Sequence, residues 1–225
     1  MNQEYLFELH SHVAPSSDCA KLSTTQFSSL FLNSQYDGVM VTNHFTPRVL
    51  TRIDAPTWKG KIDQYLLPYR EVRAKLEGKK KVILGVEATF LDSGNDYLLF
   101  GITEELLYEV PFAYYSFEEA EKLLHANGVF IVQAHPFRKS MTIKNPALLD
   151  GMEVHNGNPR HDSRNDIAEL WADKFGLVKT SGSDLHQTED FGHGGVVLPE
   201  CPADSRALDV YKRQNKTAVQ IGICF

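Results

Sequence analysis

The sequence has little cysteine, no long apolar run and no extended basic stripe, and each shortage removes a class of protein. Cys19, Cys201 and Cys224 are odd in number and widely spaced. That pattern fits reduced thiols rather than a disulfide frame and gives the cytoplasm as the expected location. No run of about 18 apolar residues is present, so neither a transmembrane helix nor a membrane partner is expected. The opening Met1-Asn2-Gln3-Glu4 lacks the basic and apolar regions of a secretory leader. Beyond Lys79-Lys80-Lys81 there is no basic cluster, and the formal net charge is −6. Extended nucleic acid is therefore not the expected partner, since binding it depends on neutralising phosphates. A small phosphorylated substrate stays open to an acidic chain if bound cations supply local positive charge. No internal repeat, linker or low-complexity segment divides the 225 residues, which read as a single domain over 1–225. The oligomeric state is not legible.

Histidine, by contrast, is plentiful, with nine in the chain, and most of them stand where apolar runs end. Apolar runs at 5–9, 38–42, 82–86, 97–102, 129–134, 151–154 and 177–181 read as strands, with a last one at 218–223. Between them, helices are expected over 26–34, capped by Thr24 or Thr25, over 62–76, after Ser116, over 166–175, and near Ala207. The stretch 45–58, with Pro47 and Pro56, reads as a long loop. Strands that are apolar throughout and alternate with helices indicate a parallel sheet covered by helices, an α/β fold. Sites in such folds gather at the carboxyl ends of the strands. Five of these ends carry ligand-type residues. A closed or nearly closed barrel would bring them to one rim, whereas an open sheet would spread them along an edge.

The residues at those ends are His10, His12, His44, Glu87, His135, Asp184 and His186. His10 and His12 alternate along one strand and so share a face, with Glu8 behind them. The set mixes imidazole with carboxylate and suits zinc, manganese or iron better than calcium or magnesium. Seven ligands exceed one tetrahedral site, which implies two or three divalent ions. Such ions lower the pKa of bound water to roughly 7, the chemistry of phosphate ester and also of amide hydrolysis.

Five motifs, in order, resemble those of the polymerase and histidinol phosphatase (PHP) family: Glu8-Leu9-His10-Ser11-His12 with Ser17-Asp18, Thr42-Asn43-His44, Gly85-Val86-Glu87, Ala134-His135-Pro136, and Gly182-Ser183-Asp184-Leu185-His186. The resemblance spans nearly the whole chain. It implies a distorted seven-stranded (β/α) barrel, TIM-like, with up to three metal ions, acting as a metal-dependent phosphoesterase. His10, His12, Glu87 and Asp184 would hold one ion. Glu87 would bridge to a second, bound also by His135, and His44 and His186 would hold a third. Three departures stand out. Asn43 and Glu8 occupy positions where the family usually or often has Asp, and both would orient ligands. No His precedes the fourth strand; Asp96 is the nearest substitute, and Asp18 lies where some members place a ligand of the third ion. Asp18 and Asp96 are each either ligands or acids of a local turn.

Arg138, just after His135-Pro136-Phe137, is a candidate clamp for phosphate, because guanidinium matches phosphate oxygens; the alternative is a surface Arg. His193, in the Gly-rich loop after the last motif, is a candidate proton donor. The leading expectation is hydrolysis of a phosphate mono- or diester of a small metabolite, histidinol phosphatase-like, or of a nucleotide. A non-catalytic metal-binding regulatory module and a metal-dependent amide or ester hydrolase are the alternatives.

Overall fold

A computed structural model of the chain describes residues 4–205. Ten strands run in the order β1 Tyr5–Glu8, β2 Gly38–Val41, β3 His44–Phe45, β4 Lys81–Leu84, β5 Val86–Thr89, β6 Asp96–Phe100, β7 Phe130–Gln133, β8 Gly151–Asn156, β9 Val178–Gly182 and β10 Val196–Leu198. Six helices lie between them: α1 Thr24–Leu32, α2 Pro47–Arg52, α3 Trp58–Leu76, α4 Glu104–Glu109, α5 Phe117–Ala126 and α6 Asn165–Phe175. The strands form a four-stranded sheet, β10-β1-β2-β4, and a six-stranded sheet, β3-β5-β6-β7-β8-β9. The fold is thus mixed α/β, and the hydrogen-bonded pairing is two sheets rather than one ring. The residues linking the strands carry the β2–β4 pairing on toward β3–β5, with main-chain bonds from Gly85 N to Val41 O and from Glu87 N to Asn43 O. A parallel bridge between Ser11 and Leu185 joins the ends of β1 and β9.

The pairing is not wholly parallel. β6 runs antiparallel to both β5 and β7, and β10 antiparallel to β1. The reason is connection length. Only 90–95 separates β5 from β6, and a parallel return needs a dozen residues or more. The reversal puts the start of β6, at Asp96, beside the main chain of Ala134, which donates to Asp96 O at 3.0 Å.

The stretch read as a loop at 45–58 contains α2. Thr46 caps it, accepting from Val49 N, and Pro47 stands in its first turn, where its missing N–H costs nothing. α1 is capped by Ser23, not by Thr24 or Thr25, in a capping box with Gln26. The helix expected near Ala207 and the strand at 218–223 lie outside the described residues, as do Cys224 and the last part of the single domain expected over 1–225. No helix among the described residues is long and apolar enough to cross a membrane.

Alternate strand residues serve two cores. Val39, Val41, Val82 and Leu84 join the helix residues Phe27, Phe31, Ile62 and Leu66, all buried. Their neighbours Phe7, Leu9, Met40, Ile83, Leu98 and Phe100 form a second buried cluster. Gly38 allows the β1–β2 approach: a Cβ there would lie 2.2 Å from a ring carbon of Phe7 and 2.6 Å from Lys81 O. Gly38→Ala is expected to destabilise the fold by about 1–3 kcal/mol through overpacking. Urea unfolding would show this as a lower midpoint with an unchanged slope; an unchanged midpoint would mean the strands part freely here.

Candidate metal centre

His10 and His12 stand two residues apart on the segment that continues just past the end of β1, and β9 closes over them because Gly182 has no side chain. A Cβ at Gly182 would lie 2.4 Å from His10 Cβ. The Glu8 carboxylate, buried beneath, accepts the main-chain N–H groups of His10 at 2.8 Å and Ser183 at 2.9 Å, joining the first motif to the last. Burial raises the Glu8 pKa to about 7, opposed by these hydrogen bonds. Asn43 Oδ1 accepts from Val13 N and from Ser17 Oγ, and Ser17 Oγ in turn lies 3.1 Å from His12 Nδ1.

Glu87 is the hub. Its Oε1 lies 3.2 Å from His10 Nε2 and 3.1 Å from His135 Nε2. Its Oε2 lies 3.2 Å from His12 Nε2 and 3.0 Å from His44 Nδ1. Asp184 Oδ1 is 3.4 Å from His10 Nε2, 3.7 Å from His12 Nε2 and 3.3 Å from His186 Nδ1. His10, His12, Glu87, His135 and Asp184 are buried, while His44 and His186 are half-buried. His135 and Asp184 hold positive φ angles of 28° and 51°. Non-glycine residues rarely adopt that region, and such strain collects at functional sites.

The charges in this cluster are tightly coupled. Burial acts to raise Glu87, but the imidazoles of His10 and His44 hold its carboxyl well below the usual range. Asp184 is likewise held down, against burial, by His10, His186 and His135. Burial acts to lower His10, yet Glu153, Glu87 and Asp184 hold it well above the ordinary imidazole value. His12 is pushed well below it, by burial and then by its neighbours His186 and His44.

Three groups of side chains each bring ligand atoms within 4.8 Å of one another: His10, His12 and Asp184; His10, Glu87 and His135; and His12, His44 and His186. Among the described residues, the buried atoms His10 Nε2, His12 Nε2, Glu87 Oε2 and His135 Nδ1 have no hydrogen-bond partner. Native interiors seldom leave such atoms unmatched, and an ion is one of the few explanations. The donor set, imidazole nitrogen with carboxylate oxygen, is what zinc, manganese or iron takes.

Asp96 reaches the edge of this cluster, with Oδ2 4.0 Å from His135 Nε2, while its Oδ1 accepts from Thr89. Its pKa is raised, by burial first and by Glu87 second. Asp18 is not brought in. It lines the cleft beside His44 and pairs with Arg48 and Arg52, which stand four residues apart on α2. Arg138 is half-buried and tied down: its Nη2 donates to Asp184 Oδ2 and Asn156 Oδ1, both at 2.8 Å. His193 is exposed; its main chain donates to Ser183 Oγ and accepts from His155 Nε2.

Glu153 and Cys19 stand near the cluster without belonging to any of the five motifs. Glu153, mid-strand in β8, accepts from His10 Nδ1 at 2.8 Å and from His135 N at 2.9 Å. That contact fixes the His10 tautomer with Nε2 toward Glu87 and Asp184. The sequence signal is a lone acid between Met152 and Val154, since a charge in an apolar strand needs a partner. Cys19 is an exposed residue of the loop that follows His10 and His12. Partial loss of solvent opposes its ionisation, but the imidazoles of His186 and His44 lower its pKa to about 6. As one residue of a loop, it carries no sequence signal.

No family model and no curated protein matches the sequence. Solved structures do match in fold. A two-domain protein from Bacteroides vulgatus, described as containing a predicted PHP-like metal-dependent phosphoesterase, is 15% identical with a TM-score of 0.64; the match covers 98% of this chain and 65% of that one. An amidohydrolase from Chromobacterium violaceum with bound sulfate and no metal is 15% identical with a TM-score of 0.55, covering 96% of this chain and 97% of that one. The lesion-specific endonuclease PfuEndoQ from Pyrococcus furiosus is 14% identical with a TM-score of 0.58, covering 87% and 52%. This chain therefore spans only part of the first and third proteins. The resemblance to the PHP family carried by the motifs is matched by the fold of the PHP-like neighbour. The expectation that excluded extended nucleic acid is not supported, because one neighbour in fold is an endonuclease.

Proposed function

We propose that the chain is a single-domain metal-dependent hydrolase of the PHP type, a phosphoesterase acting on a small phosphate mono- or diester. The observation that carries this reading is the convergence on Glu87 of histidines from three separate chain segments, with Asp184 beside His10 and His12 and buried ligand atoms left unpartnered there. The first ion would be held by His10, His12, Glu87 and Asp184, the second by Glu87 and His135 with Asp96 at its edge, and the third by His44 and His186. Bound divalent zinc, manganese or iron would activate water and polarise the phosphoryl oxygens. The strands would then be read as a distorted seven-stranded barrel of β1, β2 with β3, β4 with β5, and β6 to β9, with the Ser11–Leu185 bridge as its seam.

The chain's own groups support this chemistry from outside the ions. Glu153 holds His10 and the main chain of His135, Glu8 ties β1 to β9, and Arg138 holds Asp184. Arg138 also brings a guanidinium to the cluster as the proposed contact for a phosphate oxygen, with His193 as the proposed donor to the leaving alcohol. A cleft of about 410 Å³ opens beside the cluster, lined by His44, Asp96, Thr46, Arg48, Phe90 and Leu91. Its size suits a small ligand such as an amino-alcohol phosphate, in the manner of histidinol phosphate, or a nucleotide. A larger groove of about 700 Å³, by Tyr69, Arg73, Lys81 and Ser205, contains none of the ligand residues. The proposed location is the cytoplasm, on the cysteine pattern alone.

The test is phosphate release from a panel of sugar, amino-alcohol and nucleotide esters and a DNA oligonucleotide, with manganese, zinc or iron supplied. Activity on at least one, abolished by chelator and inhibited by vanadate, is expected. Turnover of amides without phosphate inhibition would favour the second reading, metal-dependent amide or ester hydrolysis, which the likeness to the amidohydrolase supports. Bound metal with no turnover of any class would favour the regulatory module.

A further inference from the structure

We infer that Arg48, with Arg52 beside it, recognises a second anionic group on the substrate, a carboxylate or a further phosphate at the end remote from the scissile ester. This rests on the phosphoesterase reading above and narrows its substrate class. The cleft of about 410 Å³ runs along the cluster at His44 and Asp96, both half-buried, and is lined as well by Asp18 and Arg48. Arg48 Nη2 lies 3.1 Å from Asp18 Oδ2, and Arg52 reaches the same oxygen from the next turn of α2. An ester held at the cluster therefore has these arginines within the cleft that takes its remainder.

The charges at this rim do not cancel. Both arginines meet one carboxylate oxygen, each through a single guanidinium nitrogen, and among the described residues neither pairs with another acid. Two cations against one anion leave a net positive charge at the rim, in a chain whose formal net charge is −6. Arg48 is 71% exposed and Arg52 55%, so the rest of each donor fork faces solvent. A guanidinium with spare donors matches carboxylate and phosphate oxygens in a fixed geometry. It repels an ammonium group, so amino-alcohol phosphates are the disfavoured members of the small-ester class. The rest of the wall includes apolar Val49, Phe90 and Leu91. Leu91 is 64% exposed yet fixed, its N–H donating to Tyr115 O at 3.1 Å. That gives the carbon body of a ligand a surface to lie against, as small-molecule sites require.

The experiment uses the full chain loaded with manganese and a set of straight-chain alkyl phosphates that differ only at the far end: carboxylate, second phosphate, hydroxyl or ammonium. For at least one of the two anionic members, kcat/KM is expected to exceed that of the hydroxyl member by about tenfold, the effect of one hydrogen bond to a charged group. The ammonium member should be the poorest. Comparing the two anionic arms shows which anion the rim takes. The preference should lie in KM, shrink as ionic strength rises, be lost when Arg48→Gln is combined with Arg52→Gln, and turn toward the ammonium member in Arg48→Glu. Equal turnover of all four members, or a preference that survives the double substitution, would overturn the inference while leaving the phosphoesterase reading standing. No phosphate released from any of these esters or from the panel above would overturn that reading, and this inference with it.

Discussion

Glu87→Gln is expected to remove metal from the chain and hydrolytic activity with it. Both oxygens of Glu87 lie 3.0–3.2 Å from imidazole nitrogens, and those imidazoles come from β1, the β2–β3 segment and the end of β7. An amide keeps the volume but offers a single neutral acceptor, and its NH₂ turns a donor toward nitrogens that must themselves face a cation. Loss of a residue that merely supports a ligand weakens metal affinity by about 10–100-fold, so loss of the shared carboxylate is expected to exceed that range. The measurement is bound metal per chain after dialysis, with thermal unfolding alongside. A ligand present at a thousandfold excess over its Kd stabilises a protein by about 4 kcal/mol. The unsubstituted chain should therefore gain stability on adding zinc or manganese, and the variant should gain little. Equal metal content in the two proteins would show that Glu87 is only an internal ion pair.

Glu153→Gln is expected to weaken metal binding by about 10–100-fold while the fold survives, the usual effect of losing a partner that orients a ligating histidine. Glu153 Oε1 accepts from His10 Nδ1, while Oε2 accepts from His135 N and from Asn156 Nδ2. As a carboxylate it can only accept, so it keeps a proton on Nδ1 and makes Nε2 the nitrogen that a cation would take. A glutamine can rotate its NH₂ toward Nδ1, which places the proton on Nε2, where a cation should be. Competition against a chromophoric chelator measures the shift, and circular dichroism checks the fold. Unchanged affinity would mean that the His10 tautomer is set by something other than this contact.

These residues also show what was legible beforehand. A strand's period of two is enough to pair His10 with His12 in the sequence, although β1 itself ends at Glu8 and the two follow it. His44, Glu87, His135, Asp184 and His186 could be grouped because they follow apolar runs, and the fold carries those ends to one place. Asp18 enters through the resemblance, as a ligand of the third ion or an acid of a local turn, and in the structure its carboxylate faces two arginines across the cleft that His44 also lines. That pairing, with Arg48 and Arg52 on successive turns of α2, depends on a helix hidden behind the prolines of a supposed loop. The antiparallel course of β6 follows from the six residues before it, yet the apolar pattern alone suggested a uniform parallel sheet. Glu153 interrupts a strand that otherwise reads as core, and that isolation is its only mark in the sequence. Cys19 had no such mark, since which way a loop residue turns is decided by tertiary contacts.

The most direct test of the account is a crystal of the metal-loaded protein with anomalous data collected at the edge of the added metal. Two or three peaks are expected around Glu87, at ligand distances of about 2.0–2.2 Å for nitrogen and oxygen, with His10, His12, His135 and Asp184 among their neighbours. Anomalous peaks confined to other parts of the surface, with only the four histidines around Glu87, would contradict the account.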